Sequence, residues 1–231
     1  MRILKAIAVL MDYPRPEVQE HAGEILEVIG STPGLEAGTR SGLTDLVERL
    51  RGEDLIESQS LYTGLFDRSR SLSLHLFEHV HGESRDRGQA MVDLQGLYQD
   101  AGLELTANEL PDYVPLFLEF CSRLDGESIQ GWLEEVSHLL QLLHGRLAER
   151  ESDYQWLFKA LLELGGLESA DEQLQRQLRE EERDDTAEAL DAVWAEEPVT
   201  FGPTAGGCGG AKTDSGQAVP VDWSALKRNS A

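Results

Sequence analysis

Apolar residues recur along most of this chain at the three-and-four spacing of one helical face. Ile3, Leu4, Ile7, Leu10 and Met11 form the first stripe, ended by Asp12-Tyr-Pro-Arg-Pro16. Pro16 can open a second helix, with Val18, Ala22, Ile25 and Ile29 on its face and a stop at Ser31-Thr-Pro-Gly34. Leu43, Leu46, Val47 and Leu50 predict a third helix, and Leu55 to Phe66 a fourth, shorter one. Ser69 to Val80 reads as a fifth, carrying Leu72, Leu76, Phe77 and Val80 and broken by Gly82. Ser84 suits the N-cap of a sixth, which continues through Met91, Leu94, Leu97, Tyr98 and Ala101 to a C-cap at Gly102. Ile129 to Leu147 defines a long element starting near Glu127, and Tyr154 to Leu162 another that ends at Gly165-Gly166. No segment shows the sustained alternation of a strand. The pattern predicts an all-α, single-domain helical bundle with short connections.

The pattern weakens after Gly166, which suggests a helical domain over 1–166, an acidic segment over 167–197 and a tail over 198–231. Glu168 to Asp185 has only Leu174 and Leu178 as apolar anchors and reads as a solvated helix or a mobile segment. Leu190, Val193 and Trp194 form one amphipathic turn able to dock back on the body. Residues 201–219 are rich in Gly, Ser, Thr and Pro and are expected to be disordered.

Between the sixth and seventh elements lies Glu109-Leu-Pro-Asp-Tyr-Val-Pro-Leu-Phe-Leu-Glu-Phe120, with two prolines in an otherwise apolar stretch. Proline is tolerated in the first turn of a helix, so 109–112 reads as a helix start. Tyr113, Leu116, Phe117, Phe120 and Leu124 then share a face. This stretch is either a proline-containing cap on a core helix or a binding hinge that presents exposed acids.

Charge bears on that choice. The 231 residues carry a formal net charge of −23, with a pI near 4.5. Such a surface repels nucleic acid and anionic membranes and suits a basic partner, or serves solubility. The stretch Glu168 to Glu197 has twelve acids against three arginines. The two cysteines, Cys121 and Cys208, form no disulfide framework and no Cys-x-x-Cys pair. The N-terminus lacks a small-residue cleavage site, and no apolar run has the length of a membrane span, so a cytoplasmic protein without stable membrane insertion is expected.

The densest polar cluster is His75-Leu-Phe-Glu-His-Val-His-Gly-Glu83. His75 and His79 are one helical turn apart, and with Glu83 they could hold zinc for a metal-dependent hydrolase. The spacing is not His-Glu-x-x-His, and no third ligand stands at a defined distance. The alternative is that these histidines cap a helix or line a groove. Ser84-Arg-Asp-Arg87 is either a solvated first turn or a pair of arginines offered to a carboxylate or phosphate. No phosphate-binding loop, Rossmann fingerprint or nucleophile elbow is present.

The run Ser73 to Leu94, followed by Tyr98, Gly102-Leu103 and Glu109-Leu-Pro-Asp-Tyr-Val-Pro115, resembles the NarJ-type chaperones, also called respiratory nitrate reductase delta subunits. The match spans about residues 1–165. The resemblance implies the all-helical fold of the TorD/DmsD chaperone class. It also implies a chaperone, not an enzyme and without a resident cofactor. Its partner would be the apo catalytic (alpha) subunit of nitrate reductase, including that subunit's basic N-terminal peptide. It would hold the subunit during molybdenum cofactor insertion, iron–sulfur loading and membrane docking. In the wider class the hinge reads Glu-Pro-Asp-His; here Glu109, Pro111, Asp112 and Tyr113 match it, with Leu110 inserted and the histidine lost. A basic amphipathic peptide would lay its apolar side in a groove between helices and meet acids at the rim. Glu109, Asp112 and Glu119 are the expected rim acids, Tyr113, Leu116 and Phe117 the core and floor, and His79 and Arg87 further candidate contacts.

Overall fold

In a computed structural model, residues 1–80, 86–105, 109–189 and 191 are described. The described residues form helices and no strand ladder. They are α1 (Arg2–Met11), α2 (Pro16–Glu20), α3 (Ala22–Ser31), α4 (Ala37–Gly52), α5 (Leu55–Tyr62), α6 (Leu76–Val80) and α7 (Asp86–Asp100), then α8 (Val114–Cys121), α9 (Gly126–Glu135), α10 (Ser137–Glu149), α11 (Gln155–Leu164) and α12 (Glu172–Glu180). A π-helical turn, Thr63–Asp67, continues α5, and a 3₁₀ turn spans Arg70–Leu72.

α1 is the central rod, packed on α3, α8 and α11. Its predicted stripe, Ile3, Leu4, Ile7, Leu10 and Met11, is almost wholly excluded from solvent. Burying side chains of this size stabilises by about 1.5–3 kcal/mol each before conformational entropy is subtracted. α10 and α11 pair as a hairpin, and α4 lies across α3 and α11. The α4–α11 contact is set by Gly42, where a Cβ would fall 2.3 Å from the Trp156 indole. Glu163 of α11 closes the same contact, accepting from the Glu36 N–H at 2.9 Å and from the Thr39 hydroxyl. A distant carboxylate thus satisfies donors at the start of α4, where no local side chain does so.

Most predicted elements form where the periodicity put them, with two single-residue interruptions. His21 separates α2 from α3, and Val136 separates α9 from α10. Asp54, Asp125 and Asp171 act as N-caps, each accepting from a backbone N–H two or three residues on. Gly102 lies at φ +72°, as its C-cap role requires.

Two expectations are corrected. The predicted helix over 69–80 is instead a 3₁₀ turn, an extended stretch over 73–75 and the short α6. Leu72, Leu74 and Leu76 are all buried, an alternation that the helical reading passed over. The stretch 109–112 is not a helix start either. Pro111 and Asp112 are the centre of a turn closed by the Tyr113 N–H on the Leu110 carbonyl at 3.1 Å. Of the two prolines in this stretch, Pro115 is the one in a helical first turn, that of α8. Ser84, the 190–194 turn other than Asp191, and the 201–219 tail lie outside the described residues.

Gly42→Ala gains helix propensity of about 1 kcal/mol but drives a methyl into a rigid ring. Overpacking of about 1–3 kcal/mol should win. Urea denaturation is expected to show a net loss of about 1 kcal/mol. Unchanged or raised stability would mean that Trp156 yields freely.

Candidate functional site

Residues 73–77 and 110–114 are clamped to each other. Leu76 N–H donates to the Asp112 carbonyl at 2.9 Å and Val114 N–H to the Leu74 carbonyl at 2.8 Å, around an isolated bridge between His75 and Tyr113. Tyr98 of α7 donates its hydroxyl to the Pro111 carbonyl at 2.8 Å. The Asp112 carboxyl sits inside this clamp with 0 % exposure. It accepts from His75 Nδ1–H at 3.2 Å and from the Phe77 backbone N–H at 3.1 Å, and Arg87 stands 3.8 Å away. A buried carboxylate is tolerable only with such compensation.

Asp112 is therefore a structural acid and not an exposed rim acid. Phe117 is likewise core, packed edge-on to Trp132. His79 donates Nε2–H to the Ser73 carbonyl at 2.8 Å, and Arg87 reaches Glu78 at 3.4 Å as well as Asp112. The two histidines point to different partners, which is not the convergence that a shared metal needs. Glu83 lies outside the described residues, and among those described no group of three or more His, Cys, Asp or Glu is placed to hold a metal ion. No helix of the described residues is long and apolar enough to cross a membrane.

The remaining candidates converge. Glu109, Tyr113, Leu116 and Glu119 line one open groove of about 400 Å3. Its other wall comes from α1 and the following loop: Ala8, Val9, Asp12 and Arg15. Leu103, Glu104 and Leu105, after α7, close one side, and Pro115 and Arg123 complete it. The apolar floor spans Val9, Leu105, Tyr113 and Leu116. Tyr113 is held there at both ends of its ring. Its hydroxyl donates to Asp12 at 3.0 Å and lies 3.3 Å from that of Tyr62, while its ring meets that of His75 at a tilt of 37° with centroids 5.5 Å apart. Burial pushes the Tyr113 phenol far above its ordinary value, so it stays a neutral donor.

Four acids and two arginines border this floor. Arg15 pairs with Asp12 at 3.3 Å and Arg123 with Glu119 at 3.8 Å. Among the described residues no cation pairs with Glu104 or Glu109, both exposed. The groove thus presents uncompensated negative charge beside apolar surface. Ala8, Val9, Asp12 and Glu104 were missed by the sequence reading. One signal was available: α1 is apolar on more than its buried stripe, with Val9 47 % exposed.

Fold and groove define an all-helical protein with an open apolar groove bordered by acids. Residues 32–160 match the family model described as nitrate reductase delta subunit. The chain is 45% identical over 201 residues to the probable nitrate reductase molybdenum cofactor assembly chaperone NarW of Escherichia coli K12, covering 87% of this chain and 84% of that protein. It is 43% identical over 199 residues to the nitrate reductase molybdenum cofactor assembly chaperone NarJ of the same strain, covering 86% and 84%. A probable NarJ of Bacillus subtilis is 33% identical over 110 residues, covering 48% of this chain and 58% of that protein. The chain belongs to the nitrate reductase delta subunit family, as the residues between Ser73 and Pro115 had suggested.

Breaking the clamp should cost stability. Asp112→Ala is expected to lower the unfolding free energy by about 3 kcal/mol, because it removes the acceptor shared by His75 and the buried Phe77 N–H and one of the two acids beside Arg87. Urea titration checks this, and a loss below about 1 kcal/mol would contradict the clamp. The pair also sets a pH dependence. The Asp112 hydrogen bond raises the His75 pKa from its ordinary 6.5, against the opposing pull of burial. The folded state then binds this proton more tightly than the unfolded state. The stabilisation is complete below pH 6.5 and is lost as pH rises through the raised value. His75→Gln should therefore cost more at pH 6 than at pH 9; equal costs in urea titrations at the two values would refute the assignment. Comparison with the parent chain cancels His79 and His144, which burial shifts the other way.

Proposed function

We propose that this chain is an assembly chaperone of a nitrate reductase, acting by binding and without turnover of its own. The client is the apo catalytic subunit, and the contact is made with that subunit's basic N-terminal peptide in the groove between α1 and α8. The observation that carries the reading is the juxtaposition of an apolar floor with two unpaired carboxylates, Glu104 and Glu109. An amphipathic helix laid there would bury its apolar side against Val9, Leu105 and Leu116 and bring its cations to the rim. The curated relatives carry the name of molybdenum cofactor assembly chaperones, which fits a protein that holds an incomplete enzyme. A binder that prefers the apo state stabilises that state by its differential affinity. In this reading the protein works in the cytoplasm, and iron–sulfur loading and membrane docking follow from the same retention.

Isothermal titration with the basic peptide tests the groove. The double change Glu104→Gln and Glu109→Gln should weaken binding by about two- to tenfold and flatten its salt dependence. Val9→Asp, which puts a charge on the floor, should weaken it by about tenfold or more. Unchanged affinity in both variants would overturn the placement. Capture of the client from cells with and without molybdenum cofactor synthesis tests the state preference: retention should be stronger without the cofactor, and equal retention would count against a chaperone of the apo form.

A further inference from the structure

A second site of opposite charge lies on α10. Leu178 is the apolar anchor of α12. Its Cδ1 stands 2.2 Å from where a Cβ on Gly145 would be, so α12 rests directly on the backbone of α10. Beyond α12 the chain turns back as a strap. Glu181 forks onto Arg146 at 2.6 and 2.9 Å. Asp184 receives four hydrogen bonds: from the Ser69 hydroxyl at 2.7 Å, the Ser71 N–H at 2.8 Å, the Ser71 hydroxyl at 2.9 Å and Arg150 Nη2 at 3.1 Å.

The Arg150 side chain is only 7 % exposed. Its Nε–H is buried without a hydrogen bond, and the Asp185 carboxylate stands off at 3.6 Å. Among the described residues, every carboxylate paired with Arg146 or Arg150 belongs to the strap: Glu181, Asp184 and Asp185. Without the strap, two largely buried guanidinium groups would have no counter-ion, a costly state. Yet the strap itself is lightly held. Glu181 and Asp184 are about one-third exposed, so salt screens their pairs, and α12 touches the body chiefly through α10.

We propose that residues 178–185 are a displaceable latch over a cationic docking site, and that an acidic, leucine-bearing helical segment of the client replaces them there. The strap defines the occupant's chemistry: one leucine for the Gly145 notch and carboxylates for Arg146, Arg150, Ser69 and Ser71. Exchange keeps the arginines paired throughout. A client segment then needs little intrinsic advantage, because capture of the basic peptide in the α1–α8 groove raises its effective concentration at α10. The proposal rests on the chaperone reading above.

The test uses the full chain and, as probe, a labelled synthetic peptide of residues 170–187. The latch variant Glu181→Gln, Asp184→Asn, Asp185→Asn should bind this peptide at least tenfold more tightly than the parent chain, with affinity falling as salt is added. Adding Arg146→Gln to the latch variant should remove the gain. Amides of α12 should exchange faster in the latch variant while those of α1 and α8 do not change. Binding no tighter than that of the parent, a gain that survives Arg146→Gln, or unchanged exchange in α12 would overturn the latch. Excess strap peptide should also compete with the apo catalytic subunit for the latch variant; no competition at saturation would overturn the client as occupant. The basic peptide should bind latch variant and parent alike, and failure to bind either would tell against the groove and leave the latch result standing.

Discussion

The buried carboxylate of Asp112 is the constraint on which the rest of the site depends. A charge with no solvent contact must be met by donors in fixed positions, and here they come from two other parts of the chain: His75 and the Phe77 backbone in one stretch, and Arg87 on α7. Their convergence holds the 73–77 stretch against the 110–113 turn and brings α7 beside both. The turn sets where α8 begins and how Tyr113 is presented. Tyr113 in turn reaches Asp12 at the end of α1, so the groove between α1 and α8 is positioned by an acid that does not line it. Stability and binding are therefore linked at this point. Loss of the clamp would move the groove floor even where every lining residue is intact.

Charge is organised in two layers. The excess of acid sets the sign of the surface as a whole, but the sharper contrast is local. In the groove, two arginines are tied to acids, and two acids have no cation paired with them among the described residues. On α10 the pattern inverts, with arginines buried under carboxylates supplied by the chain's own strap. Neither arrangement follows from net charge. Each depends on which charges have partners, because a paired rim charge contributes little and an uncompensated one beside apolar surface is available for recognition.

Most of the fold was legible in the periodicity. α1, α4, α10 and α11 bury long apolar stripes, and such stripes depend only on local spacing. The misread segments were those whose backbone bonds are made to distant residues. Residues 73–75 are extended because the 112–114 stretch takes their hydrogen bonds. Asp112 illustrates the same limit at the site. Beside two prolines it reads as an acid at a helix entry and thus an exposed one. Only the arrival of His75 and Arg87 makes burial affordable. Glu109, Tyr113, Leu116 and Glu119 were grouped at a groove by their nearness in one stretch and by the basic peptide that the family resemblance implies, whereas Val9 and Glu104 belong to other elements and carried no such link.

The order of apolar and polar residues decided the helical class, the approximate ends of the long helices and the acidity of the molecule, since these follow from local periodicity, capping and composition. The residues from Ser73 to Pro115 also carried enough of a pattern to indicate the family. Which acids are buried and which are free was decided only in three dimensions. That outcome depends on where cations and N–H donors from other elements come to rest. For the same reason a proline turn that resembled the first turn of a helix became the closure of a clamp, and only the structure shows where the solvated α12 and the residues after it are tied, through Leu178 and Asp184, to α10 and Arg150.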